Sequence, residues 1–254
     1  METALAYFQI PQEEKLGGST KGFRFTDRDL NILQYVLEMK FSTLEEIHEA
    51  FFKHTRDGHI SSSFIWARQR IYNLLQVKML ETVDHIASKQ IYVATEKGYF
   101  FLQNSRSTKQ YCKPLADIDI RTFSHDLLVQ KLRYALENKF QTTEWHSERV
   151  LSETQNIRTR LPKEFRPDAI YRNQHGDWVA FELEIARKSH RRYDEKIKFY
   201  IDLIQAPSDR EKLFTKVHYV CEHPTIAKLL VDKTNLYQEF FKVESTSQIL
   251  KGIN

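Results

Sequence analysis

The chain has 254 residues, 41% hydrophobic and 28% charged, with a formal net charge of +4 at pH 7. This length and apolar content suffice for one large or two modest domains, each with its own core, and exclude a disordered or fibrous chain. Cys112 and Cys221 lie far apart without Cys-x-x-Cys spacing, so neither a disulfide framework nor a zinc site is indicated. No apolar run reaches the roughly eighteen residues of a membrane span, and the first residues lack signal-peptide features, so a cytoplasmic protein with no membrane partner is expected. The net charge is mild, and any nucleic-acid contact must come from where the charges sit.

Residues 1–22 read as an arm ending in Gly17-Gly18-Ser19-Thr20. Thr26, with Asp29 three residues later, caps a helix to about Met39, its apolar face formed by Leu30, Leu33, Val36 and Leu37. Ser42-Thr43 cap a second helix carrying Leu44, Ile47 and Phe51. After Asp57-Gly58, the serines at 61–63 introduce a third helix to about Val77, with Ile65, Ile71, Leu74 and Leu75 expected inward. Two strand-like runs, 80–86 and 90–94, follow, and Thr95 opens a further short helix. Three helices and a two-stranded wing are the order of a winged helix, a helix-turn-helix variant. Its third helix would offer Arg68, Gln69, Arg70, Asn73 and Lys78 to DNA, and the wing His85 and Lys89. No acidic residue occurs between Asp57 and Glu81. The other reading is a protein-interaction winged helix with the same residues merely solvated.

Residues 104–120 have poor periodicity and read as a connector. Ser124-His125-Asp126 opens a helix to about Lys139 with Leu127, Leu128, Leu132, Ala135 and Leu136 as its core face. Asp126, Gln130, Arg133 and Glu137 form a polar stripe, and His125 and Asp126 read as a helix start and its cap. A strand is expected over 142–151, then two more over 165–171 and 178–185 joined by a turn at His175-Gly176-Asp177. A basic helix follows from Ser189 to about Gln205, with Tyr193, Ile197, Tyr200, Ile201 and Ile204 inward. A strand over 216–221, a helix over 225–231 and a last strand over 240–244 complete the chain. Trp66, Trp145 and Trp178 are assigned to core packing.

Folding the hairpin about residue 175 sets Asp168 opposite Glu182, with Glu184 on the same face and Phe181, Leu183 and Ile185 pointing into the core. Three crowded carboxylates need a compensating cation. A hard divalent metal is one solution. Ion pairing is the other, with Arg166 opposite Glu184 and Lys188 four residues beyond it. Immediately after the cluster, residues 187–198 hold six Lys or Arg against Asp194 and Glu195. Arg187, Arg191 and Arg192 are candidates for holding DNA phosphates there; a solvated helix face is the alternative.

Pro167-Asp168 followed by Glu182-Leu183-Glu184 resembles the signature of the PD-(D/E)XK nuclease superfamily. The resemblance implies that Asp168 and Glu182 bind Mg²⁺ or Mn²⁺. Glu184 stands where that superfamily normally has Lys. It would be a third ligand or a proton acceptor, and Lys188, Lys196 and Lys198 are candidates for a displaced ammonium, Lys188 being assigned the catalytic part. Thr95-Glu96-Lys97-Gly98-Tyr99, His125-Asp126, Arg166-Pro167-Asp168, Glu182-Leu183-Glu184 and residues 195–200 together resemble the replication–relaxation family of mobile-element proteins. The resemblance implies a DNA transaction on plasmids or other mobile DNA.

The expectation is therefore an α+β or α/β two-domain protein: an arm (1–22), a winged-helix domain (23–104), a connector (105–120) and a PD-(D/E)XK-like domain (121–254) with a mixed central sheet flanked by helices. Its expected activity is metal-dependent cleavage or nicking of DNA. The alternative is a non-catalytic replication or transcription regulator, or a mobilisation accessory protein, that keeps the nuclease fold for contact. DNA is the expected partner, and a second copy of the chain and other replication or mobilisation proteins are further candidates.

Overall fold

The computed structural model describes residues 23–54, 59–86, 89–106, 112–207 and 212–251, and among them the chain forms ten α-helices and eight strands. The expected N-terminal arm and the Asp57-Gly58 turn lie outside these residues, as do the side chains of the wing tip, His85 included. The chain divides into two compact units on either side of the Asp117–Ile118 bond.

In the first unit, α1 (Asp27–Glu38) starts where Thr26 donates its backbone N–H to Asp29 Oδ2 at 2.6 Å. Ile32, Leu33, Val36 and Leu37 recur at helical spacing and are buried. Ser42 and Thr43 do more than precede α2 (Leu44–Phe51): they form β1, paired with Tyr92 and Ile91. A two-residue strand carries no periodicity, so only its partner reveals it. The third helix, α3 (Ile65–Gln76), buries Ala67, Ile71 and Leu74. That stripe turns Ile65 and Trp66 outward, 68% and 71% exposed, so both were wrongly expected in the core. Trp145, by contrast, is buried as expected. β2 (Leu80–Ile86) and β3 (Lys89–Ala94) are an antiparallel pair, giving the sheet order β1-β3-β2. Thr95 caps α4 (Glu96–Ser105), its hydroxyl accepting from the Gly98 N–H at 3.0 Å.

The second unit is built on a five-stranded mixed sheet in the order β4-β5-β6-β7-β8. α5 (Phe123–Lys139) leads into β4 (Thr143–Ser147), which ends earlier than expected because Ser147 starts α6 (Glu148–Glu153). After α7 (Gln155–Arg158), β5 (Ala169–Arg172) also begins later than expected. Phe165 closes a turn on the Pro162 carbonyl, and Pro167 has no N–H to give a ladder. β5 and β4 are antiparallel, as are β5 and β6 (Trp178–Glu184). α8 (His190–Ile204) then crosses over to β7 (Lys216–Cys221), parallel to β6. α9 (Pro224–Thr234) returns to β8 (Phe241–Ser245), parallel to β7, and α10 (Thr246–Leu250) follows. Tyr193, Ile197, Tyr200, Ile201 and Ile204 of α8 pack with Ala180, Val217 and Tyr219 on one sheet face. On the other face Trp145 lies against Phe181 and under Arg133 of α5. Both faces of β6 are thus covered, and its acidic residues are buried with the rest.

Candidate functional site

The β5–β6 hairpin turns at Gly176, whose φ of 85° suits glycine, while Asn173 Oδ1 accepts the N–H groups of His175 and Asp177. Its register pairs Ala169 with Phe181 and Ile170 with Ala180. Asp168, one residue before β5, therefore stands across from Glu182, and its Oδ2 accepts the Leu183 N–H at 2.7 Å. Glu182 and Glu184 share one face of β6, next to Tyr219 and Cys221 of β7.

Lysines neutralise the pair of glutamates. Lys196 Nζ lies 2.6 Å from Glu182 Oε1, and Tyr200 donates its hydroxyl to the same oxygen. Lys188 Nζ lies 2.7 Å from Glu184 Oε1, with the Tyr193 hydroxyl donating to Oε2 at 3.3 Å. Tyr193, Lys196 and Tyr200 follow at helical spacing, so α8 presents them as one stripe. The expected Arg166–Glu184 pairing does not form: Arg166 donates instead to the Leu161 carbonyl at 3.2 Å, because the turn before β5 ends the ladder. Lys198 points away and pairs with Asp202.

His125 was read from sequence as a helix start. The structure brings its Nε2 to 3.4 Å from Asp168 Oδ2 and its Nδ1 to 3.6 Å from Asp126 Oδ1. The signal was available in the chain path. α5, β4 and β5 run up, down and up, so the first residues of α5 and β5 meet at one end. Two members of the expected α5 polar stripe, Asp126 and Gln130, are buried. Asp126 also accepts the Thr122 hydroxyl at 2.9 Å.

These contacts set the charges. Burial raises Glu182 to about 7, the Lys196 ammonium opposing it and the Asp168 carboxylate adding to it. Burial also works against the ionised Asp168, but His125, Lys196 and the Leu183 N–H outweigh it and hold the carboxyl below its usual range. For His125, burial disfavours the imidazolium, yet Asp126 and Asp168 carry it up to about 10. Burial lowers Lys188 less than Glu184 and Glu182 raise it. Burial, with Glu184 nearby, pushes the Cys221 thiol up to about 12, which leaves it an inert packing residue.

The three-ligand set expected from Asp168, Glu182 and Glu184 is not gathered: among the described residues no group of three His, Cys, Asp or Glu is arranged to hold a metal ion. Glu184 is closed by Lys188 and Tyr193. Asp168 and Glu182 remain a pair of hard oxygen donors, and Mg²⁺ needs only one or two protein carboxylates when water and phosphate complete its shell. Lys196 and Tyr200 both engage Oε1 of Glu182, and His125 and the Leu183 N–H both engage Oδ2 of Asp168, so the second oxygen of each carboxylate suits such an ion.

The expected DNA contacts fare unequally. Arg68 is exposed, and Gln69 donates to Asn73 at 3.1 Å. Arg70 is spent inside the unit: it pairs with the buried Asp29, donates to the Arg24 carbonyl at 2.9 Å and lies over the Phe23 ring. Lys78 is exposed, whereas Lys89 lies 3.9 Å from Glu45. Arg187 contacts His190, Arg191 pairs with Glu195 at 2.7 Å, and Arg192 is exposed.

A family model described as replication-relaxation matches residues 33–217, across both units. No curated protein and no solved structure matches the chain. No described helix is long and apolar enough to cross a membrane.

Proposed function

The chain belongs to the replication-relaxation family, and on that premise we propose that it is a DNA-binding protein of a plasmid or other mobile element whose second unit cleaves or nicks phosphodiester bonds with Mg²⁺ or Mn²⁺. The observation that carries the reading is the trio Asp168, Glu182 and Lys196. Two facing carboxylates stand at the ends of adjacent strands, and an ammonium from the next helix lies 2.6 Å from one of them. The element order of the second unit, a helix, three antiparallel strands with two short helices between the first and second, a crossover helix and a parallel strand, supports a PD-(D/E)XK-like fold. Three helices followed by an antiparallel hairpin support a winged helix in the first, with α3 as the groove-facing element.

Asp168 and Glu182 would hold the ion, whose Lewis acidity would stabilise charge on the scissile phosphate. The chain's own residues do the rest. Lys196 opposes the burial that raises Glu182 and also favours the ionised Asp168, so it stands in for the ammonium that Glu184 displaces from its usual position better than Lys188, which is paired with Glu184. His125 and the Leu183 N–H fix the orientation of Asp168. Arg192, exposed at the start of α8, is available to backbone phosphates.

The test is conversion of supercoiled plasmid to open-circular or linear form with Mg²⁺ or Mn²⁺, beside Asp168→Asn and Glu182→Gln. Cleavage by the wild type and its loss in both variants is expected. Wild-type protein that neither cuts nor gains thermal stability from either ion would sink the catalytic reading. A second reading then stands, a non-catalytic replication or transcription regulator. It is favoured by one observation, that lysine and tyrosine partners inside the fold already satisfy both glutamates.

A further inference from the structure

The outward face of α3 is unusual for a helix meant to meet DNA through charge. Ile65, Trp66 and Tyr72 are 68%, 71% and 56% exposed, and with Arg70 turned inward Arg68 is the one arginine of the helix on that face. Gln69 and Asn73 are one turn apart, and the Gln69 amide nitrogen donates to Asn73 Oδ1 at 3.1 Å. That bond holds the two carboxamides side by side and leaves the Gln69 oxygen as an acceptor and the Asn73 nitrogen as a donor. In the major groove adenine presents N6–H₂ as donor and N7 as acceptor, the complement of this pair. Guanine presents two acceptors, which the pair would meet with one acceptor of its own. One turn before Gln69, Ile65 supplies an exposed aliphatic surface of the kind that meets the thymine methyl. Arg68, Lys78 and the absence of any acidic residue between Asp57 and Glu81 match the sign of the phosphate backbone.

We infer that α3 reads A·T base pairs in the major groove: the Gln69–Asn73 carboxamide pair on adenine, Ile65 on the neighbouring thymine methyl, and Arg68 on the phosphate backbone. The inference rests on the proposal that the first unit binds duplex DNA, and it names the sequence class that this unit selects.

The test uses the full chain and fluorescence anisotropy at one fixed salt concentration, with three labelled duplexes of equal length: mixed-order A/T, mixed-order G/C, and the A/T duplex with uracil for thymine. A good bidentate contact is worth roughly five- to 150-fold against the wrong pair, so the A/T duplex is expected to bind at least about fivefold more tightly than the G/C duplex. Asn73→Ala should bring the two towards parity. Uracil should weaken binding to the wild type and leave Ile65→Ala unaffected, which separates a methyl contact from sequence-dependent groove shape. These positions are surface ones, and unchanged circular dichroism checks that each variant is folded. Equal affinity for the A/T and G/C duplexes, or an A/T preference that survives both substitutions, would overturn the inference while DNA binding stands. Failure to bind any duplex would overturn the inference and the DNA-binding proposal together.

Discussion

At the scale of single residues, the buried glutamates decide how the second unit behaves. Glu182 is 2% exposed and lies between its Lys196 partner and the repulsion of Asp168. Breaking a buried pair leaves an uncompensated charge, so Lys196→Met is expected to cost about 3–5 kcal/mol. Lys198→Met, two positions on, removes only the exposed pairing with Asp202 and should stay within about 0.5 kcal/mol. Urea unfolding of the two variants measures the contrast, and equal effects would mean that Lys196 is not the internal counter-ion. His125 gives a pH signature. Its pKa is raised from 6.5 to about 10, so the folded state binds a proton that the unfolded state releases first. The stability it contributes is fully present below about 6.5 and is lost as pH rises towards 10. In metal-free buffer the wild type should lose stability across that window, and His125→Gln should flatten the slope. A wild-type stability that rises there would rule out the His125–Asp168 pairing. The Asp168–Glu182 confrontation was legible in the sequence because hairpin register follows from where the turn falls. Of the counter-ions, Lys188 was legible from its spacing to Glu184, and that pair forms. The pairing of Lys196 with Glu182 was not, since it comes through a crossover helix, and the expected Arg166 is diverted by a proline-bounded turn.

At the scale of elements, the motif Thr95-Glu96-Lys97-Gly98-Tyr99 is a joint between α4 and the turn that leads from α3 into β2. The Thr95 hydroxyl donates to the Lys78 carbonyl at 2.7 Å, and the Thr95 N–H donates to the Met79 carbonyl at 3.1 Å. Gly98 lets the first turn of α4 lie directly on that Met79 carbonyl, where an added Cβ would collide with backbone that cannot swing aside. Gly98→Ala is therefore expected to cost about 1–3 kcal/mol, the usual range for overpacking, read as a lowered midpoint of unfolding. The start of α4 was visible from its cap alone, but the role of Gly98 was not, because it depends on the Met79 carbonyl in the distant turn that leads into β2. The two arginines of α3 separate in the same way. Helical position alone made both DNA contacts, whereas the folded unit spends Arg70 on Asp29. Arg68→Ala should reduce the log–log salt slope of DNA binding by about one unit with stability unchanged. Arg70→Ala should instead leave Asp29 buried without its partner and cost about 3–5 kcal/mol. A lower salt slope for a folded Arg70→Ala protein would restore it as a DNA contact.

At the scale of the whole molecule, the division beside Asp117 assigns the two proposed tasks to different stretches of chain. The candidate DNA-reading face lies on α3 in the first unit, and the acidic pair lies between the hairpin and α8 in the second. Each unit has its own apolar cluster, centred on Leu33, Val36 and Leu74 in one and on Tyr200, Val217 and Tyr219 in the other. A chain built this way can lose one task and keep the other. A fragment from Ile118 to the end is expected to fold alone and to respond to Mg²⁺. The gain follows mass action, about 2.7 kcal/mol at a hundredfold excess over the dissociation constant, and Asp168→Asn should remove it. A fragment of residues 23–117 should bind duplex DNA without responding to the ion. Burial raises Glu182 and the Asp168 carboxylate adds to it, so an added cation beside the two carboxylates would relieve a cost that Lys196 offsets only in part. Thermal unfolding of the two fragments with and without Mg²⁺ reads both tasks at once. If the second fragment folds but ignores the ion, the lysines are its permanent partners and the regulator reading holds. If it unfolds unless residues 1–117 are restored, the acidic site depends on the first unit, and the two tasks cannot be separated along the chain.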